Sequence, residues 1–222
     1  MVKRRALVIM ARQPTAGMAK TRLCPPLSPA AAAELYACFL RDTVAKVAAL
    51  DGVTWGIAHV PAAGGPYFAA LAPSFDLVAQ TGRSLSERLD GVLRHYLDEG
   101  FHQVVAINSD SPTLPPAHLT AAFARLDDPA TDVVFGPCVD GGYYLIGIKR
   151  PPGPLVRDVP MSTPTVLQDS LAIAAGAGLA TSLLPAWYDV DDDATLSQLR
   201  AEVARDPGRA PATATFLRHQ IW

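Results

Sequence analysis

The sequence predicts an α/β fold of three layers, with a mostly parallel sheet between two layers of helices. Strand-length apolar runs alternate with helix-length segments along the whole chain, the pattern that builds parallel sheets from βαβ units. Helix starts are marked by Ser28-Pro29 and by Ser84-Leu85-Ser86-Glu87. A glycine-containing loop follows the first apolar run, where α/β proteins place phosphates.

Taken in order, Ala6–Met10 reads as the first strand. Ser28 is an N-cap and Pro29 takes the first helical position, opening an Ala-rich helix to about Leu50. Val53–His59 and Phe75–Ala79 read as strands. The Ser84–Glu87 capping box opens a helix that puts Leu85, Leu89, Val92, Leu93, Tyr96 and Leu97 on one face. Val104–Ile107 is a strand of the buried type, and Pro115-Pro116 starts a helix to about Leu126. Val133–Phe135 and Tyr144–Ile148 flank Gly141-Gly142; their closeness in sequence predicts an antiparallel pair. Thr163-Pro164 reads as the cap of another helix, and Thr181–Leu184 leads into Asp189–Asp193. The last helices are weakly marked. Pro151-Pro152-Gly153-Pro154 is a rigid surface turn, and no repeat or low-complexity linker divides the chain, so residues 1–222 are expected to form one domain.

Composition narrows the function. Half of the 222 residues are hydrophobic and 18% are charged, which suits a globular chain with a sizeable core. The net charge of −2 argues against a nucleic-acid-binding surface, which is strongly basic. Cys24, Cys38 and Cys138 are odd in number, widely spaced and without a C-x-x-C, which speaks against a disulfide framework or zinc site and for a reducing cytoplasm. Lys3-Arg4-Arg5 precedes Ala6–Ala11, too short an apolar stretch for a signal-peptide core. No run approaches transmembrane length.

The candidate phosphate loop is Ala16–Leu23, AGMAKTRL, with Arg12 just before it. Arg12, Lys20 and Arg22 together suit a ligand with several negative charges, such as a nucleoside di- or triphosphate. The alternative is a solvated loop edge. The loop is neither a P-loop nor a dinucleotide fingerprint, because Gly17 stands alone and no glycine precedes Lys20.

Acidic residues fall where strands end. Asp110 closes Asn108-Ser109-Asp110 after the fourth strand, Asp140 precedes Gly141-Gly142, and Asp189 and Asp191 point to one side if their segment is extended. Two carboxylates from different strands beside a cationic loop make a candidate Mg²⁺ or Mn²⁺ site, because such ions take carboxylates together with substrate phosphates and water. Asp110 also reads as a turn aspartate, and Asp192 and Asp193 as an acidic cap on the following helix. Gly141 and Gly142 allow a backbone to approach a ligand, or simply form a tight turn. Tyr143 and Tyr144 line a pocket or pack the sheet, while Trp187 and Tyr188 pack. Arg83, beside the capped helix start, is within reach of an anion; Arg88 is a solvated helix charge.

Competing chemistries fail on spacing. An EF-hand counted from Asp189 has Ala194 where it needs Gly and Arg200 where it needs Glu. An aspartyl-phosphate phosphatase carries its D-x-D on the first strand. No G-x-S-x-G elbow is present. His59, His95, His102, His118 and His219 form no ligand-spaced pair, and His95 and His102 read as surface residues.

The ordered set AGMAKTRL (16–23), NSDSPTLPP (108–116), DGGYYLIG (140–147), STPTVL (162–167) and WYDVDD (187–192) resembles a bacterial glycosyltransferase-A-fold family of unknown function, of the DUF2064 type. The opening is also similar to that of 2-phospho-lactate guanylyltransferases, which carry an A-K-T/S-R-L segment after the first strand. The resemblance implies a nucleotide-diphospho-sugar transferase (GT-A) fold. It implies that Asp110 is a metal ligand with Asp189 or Asp191 as the second carboxylate. It further implies that Lys20 and Arg22 hold nucleotide phosphates, and that Asp140, Gly141 and Gly142 border the acceptor. The usual glycosyltransferase D-x-D reads Asn108-Ser109-Asp110, with one carboxylate, and the Gly-rich nucleotidyltransferase loop has only Gly17.

The expected activity is metal-dependent nucleotidyl transfer. An NMP passes from an NTP to a small phosphate or phosphonate acceptor, and pyrophosphate leaves. Lys20, Arg22 and Asp110 are the candidate catalytic residues. Arg12, Gly17, Arg83, Asp140, Gly141 and Gly142 are candidate substrate-binding residues, and Asp110, Asp189 and Asp191 candidate ligands of Mg²⁺ or Mn²⁺. The alternatives are glycosyl transfer from an NDP-sugar and a binding protein that keeps the fold without turnover. Neither nucleic acid nor membrane is an expected partner, and a homodimer is among the assembly states left open.

Overall fold

The computed structural model describes residues 4–219; Lys3 of the basic N-terminal run lies outside them. In chain order, β1 (Arg5–Arg12) leads to α1 (Pro29–Ala48), β2 (Thr54–Val60), α2 (Gly65–Leu71), β3 (Asp76–Ala79), α3 (Leu85–Asp98) and β4 (Gln103–Ile107). The second half runs α4 (Pro116–Asp127), β5 (Val133–Pro137), β6 (Tyr143–Ile148), α5 (Pro154–Arg157), α6 (Val166–Gly176), β7 (Thr181–Leu183), α7 (Asp193–Arg205) and α8 (Pro211–His219).

The strands form one sheet in the order β3-β2-β1-β4-β6-β5-β7. All neighbours are parallel except β6, which runs antiparallel to both β4 and β5. The departure expected at Gly141-Gly142 is therefore the β5–β6 turn. Alternation along the central strands explains the three layers. Leu7 and Ile9 of β1 and Val105 and Ile107 of β4 join the core that holds Phe39 of α1 and Leu119 of α4. Ala6 and Val8 of β1 and Val104 and Ala106 of β4 join the opposite core with Leu93 and Tyr96 of α3. A strand buried on both faces cannot show polar alternation, and each fully buried large side chain adds about 1.5–3 kcal/mol.

Local signals hold where they are self-contained. Ser28 Oγ accepts from Ala31 N at 3.1 Å, and both halves of the Ser84–Glu87 capping box form. Leu89, Val92, Leu93 and Tyr96 of α3 are buried, whereas Leu85 remains 44% exposed. The Thr163-Pro164 reading needs correction. The helix begins at Val166 with Thr165 in the cap position and no side-chain cap bond, while Thr163 Oγ1 donates to Pro160 O within the preceding turn. No helix among the described residues is long and apolar enough to cross a membrane.

The topology places the candidate residues on one sheet edge. Ile9 of β1 pairs with Ile107 of β4, so Arg12 and Asp110 sit equally far beyond that pair at the C-terminal edge. Leu145 pairs with Ile107, and because β6 is antiparallel its N-terminal end, with Asp140 and Gly142 just before it, reaches the same edge. The Asp189–Asp191 segment is tied there by a 2.9 Å bond from Val190 N to Asp110 O.

Candidate active site

The centre of the site is Lys20. Its ammonium lies 2.5 Å from Asp110 Oδ1 and 2.8 Å from Asp191 Oδ1, and it donates to Val190 O at 2.8 Å. Those three acceptors match its three donors. The side chain is only 6% exposed, so the solvated-edge reading does not describe it. Burial alone lowers a lysine pKa, but Asp110 and Asp191 outweigh burial here and hold the ammonium's pKa above its usual value. The Lys20 backbone is left-handed, with φ 50°, a conformation that costs a non-glycine residue about 1–2 kcal/mol. Ser162, with φ 68°, is the other non-glycine residue of positive φ among the described residues. Both border the same cleft, and backbone strain of this kind concentrates at functional sites.

Asp189 and Asp191 separate as their alternation requires. Tyr188 and Val190 are buried to one side, and the two carboxylates face the other. Asp189 Oδ1 accepts from Asn108 Nδ2 at 2.7 Å and from Ser111 Oγ at 2.6 Å. Burial, then the nearby Asp110 charge, push the Asp189 carboxyl up to about 6. Asp192 instead takes the capping role: its Oδ1 accepts from Thr195 N at 2.8 Å, and Asp193 opens α7.

A second network fixes the strand ends. Ser109 Oγ donates to Met10 O at 2.9 Å and meets Tyr36 OH at 2.7 Å, while Arg12 N donates to Tyr36 OH at 3.1 Å. Burial, followed by Asp110, pushes the Tyr36 phenol up to about 12, so it remains neutral and can bridge. Asn108, Ser109 and Ser111 were legible only as parts of the NSDSP motif; their hydrogen-bonding roles carry no local sequence signal.

The cleft has two connected lobes. One, of about 330 Å³, is polar and lined by Arg12, Lys20, Arg22, Tyr36, Asp110 and Asp191. The other, of about 480 Å³, contains Asp110, Asp140, Gly142, Asp189 and Asp191 together with a largely apolar wall. Arg22 and Ser162 border both. The guanidinium groups of Arg12 and Arg22 make no salt bridge among the described residues, which leaves both available to an anion.

Gly17, Arg83 and Gly141 lie outside the cleft lining. Gly17 is exposed, with open space where a Cβ would sit. Arg83 is exposed, and its backbone N–H donates to Glu87 Oε2 at 2.6 Å. Gly141 has a structural role. Its φ is +92°, an added Cβ would lie 1.9 Å from Pro164 O, and its carbonyl accepts from Leu167 N at 3.0 Å. Asp140 Oδ1 accepts from Gly142 N at 3.0 Å. Tyr143 and Tyr144 both line the larger lobe, and Tyr144 also bonds His118 and Pro185.

No group of three or more His, Cys, Asp or Glu that could hold a metal ion is found among the described residues, and the Lys20 ammonium lies between Asp110 and Asp191. Carboxylate oxygens are the donors that hard divalent cations take, and those of Asp110 and Asp191 converge on the Lys20 nitrogen. Asp110 Oδ1 and Asp191 Oδ1, each within 2.8 Å of the Lys20 nitrogen, are the oxygens that could take such an ion.

The bacterial family described as "uncharacterized protein conserved in bacteria" (DUF2064) matches residues 43–163, more than half of the chain. The chain belongs to this family. The matched segment includes Asp110, Asp140 and Gly142; Lys20, Arg22, Asp189 and Asp191 lie outside it. A solved structure from Desulfovibrio desulfuricans G20, provisionally described as a nucleotide-diphospho-sugar transferase, is 30% identical. It covers 96% of this chain and 94% of its own, with a TM-score of 0.89. Two more distant structures share the fold. CMP:2-keto-3-deoxy-manno-octonic acid synthetase complexed with CTP is 16% identical, with a TM-score of 0.59 over 91% of this chain and 99% of its own. A mannosyltransferase from Pyrobaculum calidifontis, in complex with GDP-Man and Mn²⁺, is 15% identical, with a TM-score of 0.53 over 98% of this chain and 69% of its own. No curated protein matches the sequence. The fold of this family member is thus that of the nucleotide-diphospho-sugar transferases and cytidylyltransferases.

Proposed function

We propose that this protein is a nucleotide-dependent transferase, and that it moves an NMP from an NTP to a small phosphate or phosphonate acceptor. The observation that carries the reading is the Lys20 ammonium, 2.5 Å from Asp110 and 2.8 Å from Asp191, in a lobe that Arg12 and Arg22 also line. Cations beside converged carboxylates suit a polyphosphate bound together with a divalent ion.

Each residue then has a role. Arg12 and Arg22 bind the β- and γ-phosphates, and Lys20 joins them on leaving the carboxylates. An acceptor oxygen, already ionised, forms a bond to the α-phosphorus as the bond to the bridging oxygen breaks, and pyrophosphate departs. No proton has to leave the acceptor. The protein's contribution is to align the two substrates and neutralise charge. Asp110, Asp189 and Asp191 would hold Mg²⁺ or Mn²⁺, which supplies further neutralisation of the phosphate charge.

Glycosyl transfer from an NDP-sugar is the second reading. It is favoured by Asp140, exposed at the larger lobe, where a carboxylate can orient or deprotonate an acceptor hydroxyl.

A thermal-shift panel of the four NTPs and of NDP-sugars, each with and without Mg²⁺ or Mn²⁺, separates the readings. Metal-linked stabilisation by an NTP above any NDP-sugar is expected, and Asp110→Ala should abolish it. Selective stabilisation by an NDP-sugar would reverse the order. Metal-linked stabilisation that survives in Asp110→Ala would remove Asp110 from the site.

A further inference from the structure

The larger lobe has a chemistry that the phosphate lobe lacks. Its wall is built from Met10 at the end of β1, Leu85 and Leu89 of α3, Tyr143 of β6, and Met161 and Val166. Leu85 is left 44% exposed, although it lies on the face that buries the rest of α3. The Tyr143 hydroxyl on this wall donates to the Met161 thioether, 3.9 Å away, a weak acceptor. Among the described residues of the lining, Arg22 is the only cation, set against the carboxylates of Asp110, Asp140, Asp189 and Asp191.

We propose that this lobe binds the acceptor, and that the acceptor is an alkyl phosphonate or alkyl phosphate: one anionic head at the junction beside Arg22, and an apolar body against Leu85, Leu89 and Met161. This rests on the nucleotidyl-transfer reading above. The charge balance limits the head to one anionic group, because a second one beside Asp140 would meet a like charge that no other cation of the described lining offsets. The wall selects the body. Leucine and methionine side chains gain from covering methylene groups, whereas hydroxyls of a sugar or polyol phosphate seated against Leu85, Leu89 and Met161 would be desolvated without partners. A concave apolar site with a few convergent polar groups is the usual form of a small-molecule pocket. The head reaches Arg22, which lines both lobes, and so lies next to the phosphates bound in the other. There its oxygen forms the bond to the α-phosphorus while the bond to pyrophosphate breaks. The head is already ionised, so no proton is transferred.

The test is isothermal titration of the full chain, with Mg²⁺, against hexylphosphonate and glycerol 3-phosphate, with the four NTPs titrated in parallel. Hexylphosphonate should bind at least about tenfold more tightly than glycerol 3-phosphate, the gain expected from burying a few methylenes. The double variant Leu85→Gln/Met161→Gln should reduce the preference to less than about threefold, since it removes the apolar contacts and leaves Arg22. If the double variant loses its unfolding transition, Leu85→Gln alone carries the test. Equal or tighter binding of glycerol 3-phosphate, no binding of hexylphosphonate, or a preference unchanged in the variants would overturn the proposal. NTP binding without alkyl preference sinks this inference alone; absence of NTP binding sinks the nucleotidyl-transfer reading as well.

Discussion

Lys20 and Asp191 are 171 positions apart in the chain, yet 2.8 Å separates the ammonium nitrogen from the carboxylate oxygen. With Asp110 on its other side, Lys20 is the internal counter-ion of the two carboxylates. If these carboxylates hold a divalent cation as proposed, lysine and metal compete for one position, and nucleotide phosphates would draw the lysine away.

Lys20→Met should separate these two roles. Without nucleotide, Mn²⁺ should bind roughly tenfold more tightly, because two carboxylates have lost their resident cation. Triphosphate binding in the presence of metal should weaken. Titration of free Mn²⁺ by electron paramagnetic resonance reads the first effect and calorimetry the second. An unchanged or lower Mn²⁺ affinity would show that Lys20 does not hold the cation's place.

Arg12 and Arg22 should contribute to affinity through phosphates alone. The double variant Arg12→Ala/Arg22→Ala should lose on the order of 2–4 kcal/mol of NTP binding, about one charge-assisted contact for each guanidinium. Nucleoside binding should change little. Equal losses for the two ligands in a calorimetric comparison would contradict phosphate contact.

Two glycines of positive φ should respond differently to alanine. Gly141→Ala forces a Cβ to within 1.9 Å of Pro164 O at φ +92°, so the β5–β6 turn or the start of α6 must move. A loss of about 3 kcal/mol or more in denaturant unfolding is expected. Gly17→Ala meets open space at φ +75° and should cost only about 1 kcal/mol, the strain of a left-handed backbone. Similar losses at the two positions would show that contact with Pro164 is not what requires Gly141.

Lys46 offers a pH test of the fold. Burial, partly offset by Asp42 and Glu202, lowers its pKa to about 8, and its ammonium donates to Pro112 O at 2.8 Å. The unfolded chain, with a lysine pKa near 10.5, then binds more protons between pH 8 and 10.5. Stability from this group therefore rises with pH through that window. Relative to Lys46→Met, the parent should gain on the order of 1–2 kcal/mol between pH 7 and 9.5. Parallel stability curves for the two proteins over this range would place the Lys46 ammonium in solvent-like surroundings.

Much of the fold was legible because its signals are local. The Ser84–Glu87 capping box, Ser28-Pro29 and the paired short strands around Gly141-Gly142 each depend on residues a few positions apart. The Asp189/Asp191 alternation was legible for the same reason. Thr163-Pro164 misled because a threonine-proline pair also serves a turn, and Thr163 spends its hydroxyl on Pro160. Arg83 and Gly17 looked like anion contacts because the sequence shows charge and flexibility, not direction. Asn108 and Ser111 went unread because their partner Asp189 lies about 80 positions away.

By itself, then, the amino-acid order determined most element types, though not helices α2 and α5, together with the single antiparallel reversal and the chemical inventory of cations and carboxylates. These follow from periodicities of two and 3.6 residues and from caps that need no distant partner. Tertiary structure alone decided that Lys20 sits between Asp110 and Asp191 and that an apolar lobe opens beside Arg22. Those outcomes depend on the register of β1, β4 and β6 and on which loop reaches which strand end, and such geometry arises only when segments far apart in the chain pack against one another.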